Sequence, residues 1–155
     1  FAFKPPLDFF TGTGVKPLFN RPVELSKDGE SIWLAGTSIG SGGIVPEILK
    51  HIPSGAFAIF AYHEPYPDIL PANHAIDLFL CGHTHGGQIV LPIVGALITR
   101  SKYGTKYVLG LYELGSTKMY VSRGIGMEGH FPRMRFLCSP ELTVFDVRAK
   151  LENEK

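Results

Sequence analysis

The sequence predicts a strand-rich α/β chain, and three observations carry that reading. Short apolar runs bounded by Gly, Pro, Asn or Asp recur along its 155 residues, the pattern of short strands separated by turns. Two of the runs, residues 56–62 and 78–81, are apolar without alternation, as in strands buried on both faces. Helical periodicity is confined to one short stretch.

The elements follow in order. Residues 1–10 are aromatic around Pro5-Pro6 and fit either the end of a helix or an extended segment. Residues 23–25 lead through Lys27-Asp28-Gly29 into residues 31–35, which reads as a hairpin. Ile44, Ile48 and Ile52 recur every four residues and Pro46 suits a first turn, so residues 44–52 predict the one short helix. The two buried strands come next. Residues 91–98, Leu-Pro-Ile-Val-Gly-Ala-Leu-Ile, read as a further buried strand in preference to an exposed apolar loop at a membrane. Residues 107–114, 119–122 and 142–148 complete the strands, the last with alternation in Thr143-Val144-Phe145-Asp146-Val147. Residues 149–155 read as a charged, frayed tail.

Composition narrows the class. With 45% hydrophobic and 19% charged residues, the chain has the make-up of a soluble globular domain. Its formal charge is +1, with acids and bases interspersed, which argues against the clustered basic face of a nucleic-acid-binding protein. Two cysteines are too few for a disulfide framework, and Cys81, at the end of an apolar run, reads as a core thiol. No apolar stretch reaches the roughly 18 residues that span a bilayer, and no signal peptide is visible. A cytoplasmic chain, with the membrane surface as a peripheral location, is the expectation. Gly and Pro are spread evenly, so no linker divides the sequence. The chain opens on Phe1 and reads as one domain or half-domain over residues 1–155.

The chemistry concentrates in Cys81-Gly82-His83-Thr84-His85-Gly86-Gly87-Gln88. In an extended backbone, residues two apart face the same side, so His83 and His85 are expected to converge, with Thr84 turned away. Converging imidazoles begin a transition-metal site. Gly82, Gly86 and Gly87 would let the backbone wrap an ion or a phosphate. His63 closes the other buried strand, and ligands of open α/β sheets collect at such carboxyl ends. His51 suits the end of the helix. His74 reads as solvated, and His130 as part of a site rim that touches substrate.

The motif Gly82-His83-Thr84-His85-Gly86-Gly87-Gln88 resembles the glycine-histidine-x-histidine motif of calcineurin-like metallophosphoesterases, in its bacterial branch. Ile59-Phe60-Ala61-Tyr62-His63-Glu64-Pro65 resembles that family's strand ending in a ligand histidine. Residues 120–126, with Arg135-Phe136, Cys138, Pro140 and Glu141, resemble its closing strands, and residues 12–36 an earlier stretch. The resemblance implies the later half of a two-sheet sandwich flanked by helices. It implies that His63 and His83 bind one divalent metal and His85 a second, from among Mn, Fe and Zn. It implies hydrolysis of a phosphoester, as a phosphodiesterase or phosphatase, by metal-activated hydroxide. Lipid-linked substrates are compatible with it. Arg123 stands out as a phosphate contact among Arg100, Lys102, Arg133 and Arg135.

The family's earlier motifs are absent, including its bridging aspartate and the asparagine-histidine pair that supplies the general acid. Ala35-Gly36-Thr37-Ser38-Ile39 stands where relatives have acidic residues. Three neutral imidazoles do not balance two dications, so an upstream segment or a second chain is expected to complete the site. Two alternatives stay open: a mononuclear three-histidine zinc hydrolase, and a non-catalytic metal-binding half-domain.

Overall fold

The computed structural model describes residues 10–18, 20–128 and 133–148. The opening aromatic segment up to residue 9, His130 and the tail from residue 149 lie outside the described residues. The chain forms two compact units, Phe1–Cys81 with Leu111–Tyr120, and Gly82–Gly110 with Val121–Lys155. Among the described residues the strands are β1 (Val23–Lys27), β2 (Glu30–Gly36), β3 (Phe57–Ala61), β4 (Leu78–Cys81), β5 (Val90–Leu91), β6 (Gly95–Ala96), β7 (Gly110–Leu114) and β8 (Thr117–Val121). The α-helix is α1 (Val45–Leu49). The chain is thus mixed α/β and rich in strands, as its sequence predicts.

The first unit is built on a six-stranded sheet of order β1-β2-β3-β4-β8-β7. β1 and β2 pair antiparallel from Val23↔Leu34 to Lys27↔Glu30. Their two-residue turn is Asp28-Gly29, with φ of 54° and 83°. Positive φ at both positions matches the twist of the flanking strands. β2 then runs parallel to β3, and β3 parallel to β4 in the register Ile59↔Leu78 to Ala61↔Leu80. A Cβ at Gly36 would stand 2.9 Å from the Ala61 carbonyl oxygen, so glycine permits that close approach.

β3 and β4 hold the core. Ala58, Ile59 and Phe60 are all buried, as are Leu78, Phe79 and Cys81. Burial of consecutive residues means burial of both faces, which is why these runs carry no polar alternation. The Phe60 and Phe79 rings lie 5.8 Å apart, tilted by 48°, an arrangement that suits their quadrupoles. Polar ties close the amino end of β4. The Asp77 carboxylate accepts from Ala58 N at 2.8 Å, and Asp77 N donates to Ala58 O at 3.0 Å. Thr117 Oγ1 donates to Ile76 O at 2.6 Å.

The helix is shorter than its isoleucine spacing predicts. A 3₁₀ turn, Gly42–Ile44, precedes α1 and shifts the helical phase. Val45 and Ile48 therefore face the core, while Ile44 is exposed. Pro46 sits in the first turn as expected, and Pro53 disfavours helical backbone at Ile52. His74 also departs from expectation. It is half-buried, its Nδ1 accepts from Ile76 N at 3.2 Å, and burial lowers its pKa.

The second unit carries the antiparallel β5–β6 pair, Val90↔Ala96 and Leu91↔Gly95. Residues 91–98 thus form an exposed hairpin and not the buried strand expected of so apolar a run. Residues 142–148 are not a strand either, and Leu142 and Val144 are exposed. Alternation marks a strand only where a neighbour completes the ladder and a layer covers the apolar face. No ladder neighbour for this segment is present among the described residues.

Two outcomes follow from the core. Phe79→Ala should lower the unfolding free energy by about 3–5 kcal/mol, and an unchanged urea midpoint would contradict the packing described. Burial pushes the Cys81 thiol up to about 12 from its ordinary 9.0. The folded chain then keeps a proton that the unfolded chain loses above pH 9, so stability should fall as pH rises from 9 towards 12. At pH 8 Cys81 should resist alkylation until the chain is unfolded, as mass spectrometry of the labelled protein would show.

Candidate functional site

The histidine motif begins where β4 ends, but its backbone is not extended. His83, His85, Gly86, Gly87 and Gln88 all have positive φ, between 51° and 80°. Thr84 alone of the six residues from His83 is right-handed, at φ −69° and ψ −16°. The convergence expected from strand geometry therefore does not arise that way. Non-glycine residues in this region cost roughly 1–2 kcal/mol each, so His83, His85 and Gln88 need local support.

Thr84 provides part of it. Its side chain is buried, donates to Val108 O at 2.6 Å and accepts from Gly86 N at 3.3 Å. Backbone bonds from Gly87 N to Thr84 O and from Gln88 N to His85 O, 2.8 and 3.1 Å, close the turn His85–Gly87. The glycines are fixed by packing. A Cβ at Gly86 would fall 2.6 Å from Arg123 Cγ and 2.7 Å from Cys138 Sγ; one at Gly87 would fall 2.3 Å from Ala96 Cβ. These glycines admit protein neighbours, where the sequence suggested an ion or a phosphate.

Arg135 supplies the rest. Its Nη2 donates to the carbonyls of Arg123, Gly124 and Gly126 at 2.7, 3.0 and 2.7 Å. Its Nη1 donates to His85 O at 3.1 Å and Cys138 O at 3.3 Å. Cys138 Sγ adds a bond to His85 O at 3.2 Å. A guanidinium considered for phosphate thus serves as the organiser of a loop. Arg123 is engaged elsewhere too, with Nε donating to Glu141 Oε2 at 2.7 Å. It is absent from the residues that line the histidine pocket.

That pocket has a volume of about 200 Å³ and is lined by His83, His85, Gln88, Leu97, Arg100 and Glu128 among others. His83 Nε2 lies 3.2 Å from Arg100 O. A carbonyl only accepts, so Nε2 donates in this contact. His85 Nδ1 is buried and has no hydrogen-bond partner. Leaving a buried polar atom unsatisfied costs about 1–3 kcal/mol, and a bound cation would relieve it. Arg100 Nη1 pairs with Glu128 Oε1 at 2.8 Å. Gln88 grips the Glu128 backbone from both sides, with Nε2 donating to its carbonyl at 2.8 Å and Oε1 accepting from its N–H at 2.7 Å.

Imidazole nitrogens are common ligands of divalent transition metals, and the pair by itself does not choose among them. Among the described residues no group of three or more His, Cys, Asp or Glu gathers to hold a metal ion. His63 belongs to the first unit, two residues beyond β3, and is exposed. Neighbouring Glu64 Oε2 accepts from the Tyr62 hydroxyl at 3.0 Å. Burial, more than this bond, raises the Tyr62 pKa. Sequence reasoning includes Gln88 in the motif but gives it no role of its own, assigns none to Glu128 and ranks Arg100 below Arg123. Only proximity in space shows that the three line one pocket.

The chain was compared with known proteins. No protein-family model matches it, and no solved structure matches it. It is 44% identical over 101 residues to the uncharacterized metallophosphoesterase YkuE of Bacillus subtilis, a stretch covering 65% of this chain and 34% of that protein. It is 30% identical over 137 residues to the phosphodiesterase YaeI of Escherichia coli, 86% of this chain and 48% of that protein. With an uncharacterized metallophosphoesterase of Aquifex aeolicus it shares 31% over 153 residues, 93% of this chain and 55% of that protein. The chain spans from a third to about half the length of these curated relatives. With its glycine-histidine-threonine-histidine motif intact at the end of β4, the chain belongs to the calcineurin-like metallophosphoesterase family.

Proposed function

We propose that this chain is part of a metal-dependent phosphoester hydrolase and supplies histidine ligands to a dinuclear centre. The observation that carries the reading is the His83–His85 pocket, with a buried and unpartnered Nδ1 on His85. The relatives named metallophosphoesterase support it, and the one named phosphodiesterase favours a diester substrate. Two bound divalent cations supply Lewis acidity towards the phosphoryl oxygens and acidify a water molecule.

The residues of this chain divide the remaining work. His83 would offer Nδ1, because Arg100 O orients the ring and fixes its tautomer from the other side. His85 would offer its buried nitrogen. His63, which follows β3, would serve as the third imidazole, as the resemblance to the family implies. Arg100 replaces Arg123 as the cation for substrate oxygens, since it lines the pocket. The bridging carboxylate and the general acid would come from residues outside this chain.

In the complete protein, His83→Ala and His85→Ala should each lower phosphodiester turnover by about 100-fold or more, with the melting temperature kept. Elemental analysis should find two metals per chain in the unaltered protein and fewer in both variants. Turnover at the unaltered level in either would end the assignment. Arg135→Lys keeps the charge but loses the fork that gathers the carbonyls. It should destabilise the fold by about 2–3 kcal/mol and lower metal content, whereas a purely substrate-binding Arg135 would raise KM alone.

A further inference from the structure

The β5–β6 hairpin displays apolar side chains that the fold does not use. Ile93, at its tip, is fully exposed at 108%; Val94 is 68%, Ile98 67% and Leu97 51% exposed. These residues stand within six positions of one another on one hairpin, unlike singly scattered surface apolar residues, which need no explanation. The tip is also conformationally costly. Ile93 has φ 71°, a region that β-branched residues avoid and that Gly or Asn would occupy with less strain. Among the described residues nothing covers the Ile93 side chain.

Charge indicates what that partner is. From Leu78 to Tyr112 the sequence contains no Asp or Glu, but it contains Arg100, Lys102 and Lys106, all exposed. The whole second unit carries nine Lys or Arg against five Asp or Glu; the first carries six against nine. The formal charge of +1 for the chain conceals this division. Apolar side chains at a tip, with lysines on the segment that follows, are the combination that binds an anionic lipid surface. An apolar protein partner would fit the tip alone and leave the charge unexplained.

We propose that the β5–β6 hairpin docks the second unit onto an anionic lipid surface. Leu97 and Ile98 line the same pocket as His83 and His85, so docking at the hairpin brings the mouth of that pocket to the headgroups. The proposal is independent of the hydrolase reading, because lipid binding is measured without turnover.

The test is sedimentation of the complete protein with vesicles of phosphatidylcholine, alone or mixed with phosphatidylglycerol. The protein should pellet with the mixed vesicles and far less with the neutral ones, and added salt should release it. Ile93→Asp should reduce the bound fraction about ten-fold without changing the melting temperature, as its side chain supports nothing in the fold. Lys102→Glu with Lys106→Glu should reduce it comparably. Equal binding of Ile93→Asp and the unaltered protein would overturn the proposal, as would failure of the unaltered protein to bind mixed vesicles. So would a dimer, seen by size exclusion, that Ile93→Asp converts to monomer without any vesicle binding, because the hairpin would then be a contact between copies.

Discussion

The left-handed backbone of the histidine motif is the constraint around which the second unit is organised. Five of the six residues from His83 to Gln88 sit at positive φ, and three of those five carry side chains. A chain holds such a shape only when its surroundings over-determine it. Here Thr84 anchors the turn from inside, Arg135 and Cys138 hold the His85 carbonyl, and Ala96 closes over Gly87. The carbonyls of Arg123, Gly124 and Gly126 converge on the same guanidinium. Without a donor at their centre these carbonyls would repel one another.

That arrangement explains why residue types were a better guide to the site than local geometry. The strand β4 was legible to the residue, because a strand buried on both faces leaves an unbroken apolar run. The hairpin β1–β2 was legible because Asp-Gly is the dipeptide that tolerates two positive φ values. The motif after β4 was misread as extended. Nothing in six residues of sequence announces that Arg135 and Cys138, some fifty positions later, will bend it. The same limit applies to residues 91–98 and 142–148. Apolar content predicts burial only when something covers it, and what covers a segment is a property of the assembled chain.

The cations teach a related lesson. Arg100, Arg123 and Arg135 are alike in sequence, and each guanidinium suits a phosphate as well as a carboxylate or carbonyl. What distinguishes them is the acceptor nearby. Arg135 meets carbonyls, Arg123 meets Glu141, and Arg100 meets Glu128 at the wall of the pocket. Glycine-flanked position favoured Arg123 on paper. Packing gave its side chain to Gly86 and Glu141 instead.

On the proposed reading, electrostatics explains why these imidazoles are half of a centre. Two dications about 4 Å apart repel by roughly 17 kcal/mol at an effective dielectric near 20. His83 and His85 are neutral donors and offset none of it. Arg100 adds a positive charge to the same wall, and Glu128, the one carboxylate among the described residues that line the pocket, is engaged with Arg100. A pocket of this composition accepts an anion more readily than a pair of metal ions. It becomes a metal centre when carboxylates from elsewhere reverse the local charge. Arg100 then faces the phosphoryl oxygens rather than competing with the cations. The buried Nδ1 of His85 marks where that completion is required, since it is the one buried side-chain polar atom among the described residues left without a partner.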